Sequence, residues 1–316
     1  MTSTRDKSRL ARTGATATTT ESRAILVGGA ALALGFIIGF IWIGGRTLPI
    51  AGGSSFGTIA AITAAALAAA AFVAGYLLPS PGSRQRTHPE RSRWRFAVNV
   101  AALTVAHAAI ALLLLVGVSV VMSDAFIDAD IYPFSASLLV AIASGLASYA
   151  AFLSASGMTT TRMASVLAIY LVVGVMAAML STSDPHWWEK NISALGTGDD
   201  FSGWIFNITL LIAGVLITAI AVYLARELRQ GHLARAARDA DDSREAGRVR
   251  TLYLALTLLG VFLALVGVFP VSWIELVHNA FATGLIVVFA GLVVGIRWIV
   301  PGLPGSGLPT LTLTAR

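Results

Sequence analysis

Glu275 and His278 stand three residues apart, a spacing that puts both side chains on one face of a helix and that metal sites in helical bundles use. With His186 and Asp184 they form a nitrogen and oxygen donor set suited to zinc or another divalent ion. His186, Glu275 and His278 around such an ion could activate water for hydrolysis of a lipid headgroup. A structural role competes. Ser272-x-x-Glu275 has the form of a capping box, in which Glu275 satisfies free backbone donors at the start of a helix while His278, one turn deeper, bonds a neighbouring loop.

A second polar group lies just upstream. Asn191, Ser193 and Asn207 are expected to join His278 under a lid of Trp187 and Trp188, presenting donors and acceptors above an apolar wall. Such a pocket suits an amphiphile better than a soluble metabolite. Asp184-Pro185 reads as an N-cap with Pro at the first helical position, starting a short helix that carries the paired Trp, which serve as membrane-interface anchors. Asp199 and Asp200 favour the positive end of the helix that follows. Asn191-Ile192-Ser193 has the form of a glycosylation acceptor, a tripeptide common enough to arise by chance.

The elements that position these residues are eight apolar stretches, at 24–44, 57–78, 96–122, 134–154, 163–182, 203–225, 251–269 and 275–296. Each approaches the roughly 20 residues that cross about 30 Å of hydrocarbon as a helix. The fold class is therefore all-α, a polytopic helical membrane protein. One eight-helix membrane domain is expected over 24–298, between tails at 1–23 and 299–316 that are too polar or too rich in Pro and Gly to bury a core. The first stretch is longer than a signal peptide and has no small-x-small cleavage site, so it reads as an uncleaved anchor. All but two of the 22 Lys and Arg fall in the tails and even-numbered loops, the exceptions being Arg46 and Lys190. The positive-inside rule then puts both termini in the cytoplasm, and every span is needed to keep that parity.

Composition agrees. Apolar residues make up 56% of the 316 and charged residues 12%, half the share of soluble domains, so the location is a multi-pass position in a bacterial cell membrane. The formal charge of +6 follows from topology and implies no nucleic-acid partner; membrane lipids are the expected partners. The absence of Cys removes disulfides, thiol catalysis and cysteine metal sites. Within the spans the polar residues that stand out are Asn99, His107, Tyr149 and Asn207, and no carboxylate lies deep, which disfavours an ion-coupled permease. His107 reads as a neutral ring satisfied by a neighbouring helix. The sixth loop, 226–250, mixes seven Arg with five acids, which fits a solvated helical extension carrying ion pairs or, on a sharper reading, an anionic-lipid contact. The second loop, with five Arg against Glu90, is the stronger headgroup candidate.

Three ordered blocks carry a family resemblance: Asn191-x-Ser193-x-Leu195-Gly196; then Phe206-Asn207 and Gly214; then Gly267-Val268-Phe269-Pro270 and His278. Over about residues 183–290 the chain resembles the uncharacterised prokaryotic membrane family known as domain of unknown function 998, with Ala194 where many members carry Asp. The resemblance implies a helical membrane protein with an outer-face polar cluster and brings no established reaction. Val116-Gly117-Val118 and Val266-Gly267-Val268 occupy corresponding places in the two four-span halves, a match too short to establish a repeat.

Non-enzymatic binding of a lipid or amphiphile, or an envelope-related role, is the reading adopted. Ligand contacts are assigned to Trp187, Trp188, Asn191, Ser193, Asn207 and His278. A metal-dependent lipid hydrolase and a permease are the alternatives. No resident cofactor is expected, a divalent metal at His186, Glu275 and His278 being the one alternative. The orientation has a direct test: cysteines at Ser54, Asp130 and Gly198 react with an impermeant thiol reagent added to intact cells, and cysteines at Ser83 and Gly247 do not. Labelling at Ser83 overturns it.

Overall fold

In bilayer hydrocarbon, backbone N–H and C=O groups find no water, so an apolar chain satisfies them within itself as helix. The computed structural model of the chain, which describes residues 4–78, 93–198, 201–236 and 242–299, is 85% helical. The helices are α1 (Thr4–Ile43), α2 (Phe56–Leu77), α3 (Arg93–Ala125), α4 (Pro133–Ser156), α5 (Thr160–Ser181), α6 (Phe201–Ala236), α7 (Asp242–Val268) and α8 (Glu275–Ile299). Each contains a segment long and apolar enough to cross a membrane, and the eight segments overlap the eight stretches read from the sequence one for one, with ends differing by up to five residues.

The ends follow local chemistry. Gly44, at φ +59°, takes the left-handed conformation just past α1, where a glycine ends a helix without steric cost. Ser55 caps α2 by accepting from the Thr58 N–H, and Thr159 caps α5 by accepting from that of Arg162. Several helices outrun their apolar segments. α6 continues through Arg226-Glu227-Leu228-Arg229 to Ala236, and α7 begins at Asp242, as strong helix formers allow, so the sixth loop is largely a helical extension. Likewise α1 reaches back to Thr4, through the segment expected to be a tail. Pro301–Arg316 and most of the basic second loop, including Arg84, Arg86 and Arg91, lie outside the described residues.

α4 packs against α1 and α2; from α2 the contacts run on through α3, α5, α6 and α7 to α8. A two-residue antiparallel pairing, Leu48 with Ile131 and Pro49 with Asp130, ties the first loop to the third. The largest core cluster joins α2, α3, α4, α5 and α6 around Phe72, Leu103, Met158, Met163, Tyr170 and Leu216. α8 lies at the edge against α7 and buries only 6% of its most apolar window, leaving Ile286, Val287, Phe289 and Val294 for lipid.

Because lipid tails are as apolar as leucine, close contact and buried hydrogen bonds hold such helices together rather than a hydrophobic drive. Glycines make the contact. A methyl group at Gly214 would overlap the Gly260 carbonyl oxygen and lie 2.7 Å from the Ala264 Cβ, so α6 and α7 touch backbone to backbone. His107 shows how a mid-span polar group is satisfied. Its Nδ1–H donates to the Leu103 carbonyl at 2.8 Å, and its Nε2 hydrogen-bonds the Ser154 hydroxyl of α4 at 3.0 Å, so the ring is satisfied by a neighbouring helix as expected. Gly214→Leu should therefore destabilise the protein by about 1–3 kcal/mol through overpacking against backbone that cannot yield. Gly291→Leu on α8, which meets nothing within 4 Å, should leave the thermal midpoint in detergent unchanged.

Candidate functional site

The α5–α6 connection is built by its own polar side chains. Asp184 accepts the His186 backbone N–H at 2.9 Å through Oδ1, and its Oδ2 accepts from the Lys190 ammonium at 3.0 Å. These bonds, the backbone one first, hold the Asp184 carboxyl below the usual aspartate range. Its ionised form is thus favoured in the folded loop, and the tie is present at neutral pH and lost as acid titrates the depressed carboxyl. Asp184 closes a turn rather than capping a helix. The helical turn begins two residues past Pro185, as a 3₁₀ turn at Trp187–Glu189, because a side chain bonded two residues on sets an Asx turn.

The two Trp part company. Trp187 packs among Leu113, Ala177, Leu195, Ile205 and Phe206, whereas Trp188 is 65% exposed and donates its indole N–H to the Pro185 carbonyl at 3.2 Å. A second 3₁₀ turn, Ile192–Gly196, is capped by Asn191, whose Oδ1 accepts the Ala194 N–H at 3.1 Å. Asn191 is therefore engaged in closing the turn, and Ser193 is half-buried within it.

Asn207, on α6, reaches back to this turn. Its Nδ2 donates to the Gly196 carbonyl at 3.0 Å, and a Cβ at Gly196 would stand 2.7 Å from Asn207 Oδ1. From the other side α7 comes as close, since a Cβ at Gly267 would stand 2.5 Å from the Asn207 carbonyl oxygen. Two glycines thus frame one asparagine. Ser202 adds a bond across to α5, its hydroxyl donating to the Ala178 carbonyl at 2.9 Å.

His278 is buried in the first turn of α8 and donates Nδ1–H to the Phe269 carbonyl at 2.8 Å, tying α8 to the end of α7. The loop bond expected of it is present. The capping box is not. α8 starts at Glu275, too late for Ser272 to be its N-cap, because Pro270 opens a turn in which its carbonyl accepts the Trp273 N–H at 3.0 Å. Glu275 is exposed, where its charge favours the helix N-terminus, and His186 is exposed on its loop. Among the described residues no three His, Asp or Glu side chains form a group able to hold a metal ion, so His186, Glu275 and His278 are not brought together as one.

What the two connections do create is a cavity of about 240 Å³ between the Gly196–Gly198 segment, the start of α6 and the α7–α8 turn. Gly203, Asn207 and Leu211, at four-residue spacing, line it from α6; Gly267, Val268 and Pro270 face them; Trp204, Ser272 and Trp273 complete the wall. Of the residues assigned to ligand contact, Asn207 lines it; Trp187, Trp188, Asn191, Ser193 and His278 support the surrounding turns instead. Trp204 and Trp273, 65% and 69% exposed, stand where the Trp187-Trp188 lid was expected. The signal for them was present in the sequence as Trp204 three residues before Asn207 and Trp273 three after Pro270. None of these side chains ionises near neutrality. Asp199 and Asp200 lie outside the described residues.

Residues 163–314 match the family described as Protein of unknown function (DUF998). That match extends the resemblance beyond 183–290 to take in α5 through α8, so the whole cavity lies inside the DUF998 region and α1 to α4 lie outside it. No curated protein and no solved structure matches the chain.

Asn207 joins the two connections, so Asn207→Ala should loosen the turn that Gly196 ends at a cost of about 0.5–1.5 kcal/mol. Hydrogen exchange should rise at the Ala194 and Thr197 amides while α1 to α4 stay unchanged. Equal protection in both proteins counts against the tie.

Proposed function

We propose that this polytopic membrane protein binds a lipid or other amphiphile, without catalysing a reaction on it, in the cavity between the Gly196–Gly198 segment, α6 and the α7–α8 turn. The distribution of basic residues supports a bacterial cell membrane with both termini in the cytoplasm and this cavity facing outward. An envelope-related role fits that placement.

The observation that carries the reading is the cavity's chemistry. Its walls are aliphatic, aromatic and glycine backbone, and its fixed polar points are few. Asn207 spends one N–H on Gly196, leaving its Oδ1 and second N–H for a ligand, and the Ser272 hydroxyl stands across from it. Trp204 and Trp273 are amphipathic rings of the kind that settle at headgroup depth. A few polar groups above an apolar wall recognise one end of a molecule whose remainder stays in the bilayer. No observation favours the hydrolase or the permease over this reading.

The test is occupancy. The full chain, purified in mild detergent with its native lipids, should carry a lipid or amphiphile in native mass spectra, and that species should be lost from Val268→Trp, which fills the cavity, and from Asn207→Leu. Trp188→Phe, which alters the exposed Trp outside the cavity, should retain it. Identical bound species in all four proteins would remove the proposal.

A further inference from the structure

The opposite end of the α6–α7 pair holds a second cavity, of about 210 Å³, lined by Arg226, Arg229, Arg250 and Tyr253 over a floor that includes Val222 and Val249. Val222, Arg226 and Arg229 fall at four- and three-residue steps on one face of α6, and on α7 Tyr253 lies four residues after Val249 and three after Arg250. α6 crosses apolar surroundings until Arg229, and α7 enters them from Ala246, so the arginines sit where the two membrane segments end. Arg229 and Arg250 are exposed and form no ion pair with any described carboxylate. The neighbouring Arg248 is drawn aside, its guanidinium 5.9 Å from the Trp298 ring centre.

We propose that this cavity seats the phosphate of an anionic phospholipid. Arginines from two helices line one small volume, and Arg229 and Arg250 offer paired N–H donors in the planar geometry that phosphate oxygens accept. The Tyr253 hydroxyl adds a donor. A solvated ion would gain nothing from the valines below, whereas a phospholipid lays its glycerol and chains along them. The location adds a second argument. The basic loops and tails lie at this end, which the charge rule assigns to the leaflet where anionic lipids attract Lys and Arg. The site is separate from the asparagine cavity and does not depend on it.

The test uses the full chain in phosphatidylcholine nanodiscs carrying phosphatidylglycerol as probe, with bound phosphatidylglycerol counted by native mass spectrometry after release into detergent. The combined substitution Arg226→Gln, Arg229→Gln, Arg250→Gln should weaken binding on the order of a hundredfold, from the contribution of three arginines near a membrane surface. Arg23→Gln, Arg162→Gln, Arg297→Gln removes equal charge from exposed residues that do not line the cavity and should keep the affinity. The Lys version of the cavity triple, which keeps the charge and loses the fork, should fall between the two and shows that the site folds. Excess inorganic phosphate should not displace the lipid. Equal losses in both Gln triples mean a diffuse basic surface, no loss in either means no site, and displacement by inorganic phosphate means a soluble phosphate ligand. Each of these outcomes overturns the proposal.

Discussion

A bilayer gives the backbone no solvent to bond with, and an unpaired peptide group there costs several kcal/mol. That constraint forces helix wherever the chain is apolar. It also removes the hydrophobic force that would collect helices in water, so the bundle must be assembled by contact and by shared hydrogen bonds. The glycines at 35, 75, 214, 260 and 267 follow from this, each lying against a neighbouring helix with no room for a methyl group. So do the bonds between helices, from the Ser202 hydroxyl of α6 to the Ala178 carbonyl of α5 and between His107 of α3 and Ser154 of α4.

Close backbone contact has a geometric consequence where helices end. α6 and α7 touch at Gly214 with Gly260 and again at Gly267 with Asn207, so their ends cannot splay to fill the space beside them with side chains. A concavity is left at each end of the pair. At one end it is bounded by two Trp and an asparagine, at the other by three Arg and a Tyr. Asn207 and Arg226 are 19 positions apart on one helix, about 28 Å along its axis, close to the thickness of bilayer hydrocarbon. The same helix pair thus presents a neutral, aromatic cavity at one membrane boundary and a cationic one at the other.

The sequence carried the spans to within five residues at each end, because the length and apolarity of a membrane helix are set by the bilayer rather than by tertiary partners. It carried the hydrogen-bonded state of His107 as well, since a polar group left unpaired at that depth is costly. Turn chemistry was harder to read. Ser272-x-x-Glu275 satisfies the capping-box pattern, yet Pro270 forms its own turn two residues earlier and moves the helix start to Glu275. Asp184-Pro185 satisfies the N-cap pattern, yet the Asp184 carboxylate closes a turn on His186 and Lys190 instead.

The length of the continuous apolar stretches and the sidedness of the basic residues determined from the sequence alone that the chain is an eight-helix membrane protein, because both are judged against the bilayer and not against tertiary partners. Asn207 was marked by its polarity at membrane depth. Which residues would join it depended on how α6, α7 and the 191–196 turn pack, and packing is fixed by steric contacts between segments far apart in the chain. Trp204 and Trp273 were drawn to one cavity, Trp187 was packed half-buried against a core cluster, and Asn191 and His278 were spent on closing turns. Those assignments belong to the tertiary structure, since an indole, an amide or an imidazole has the same chemistry in every position and acquires a role only from its neighbours.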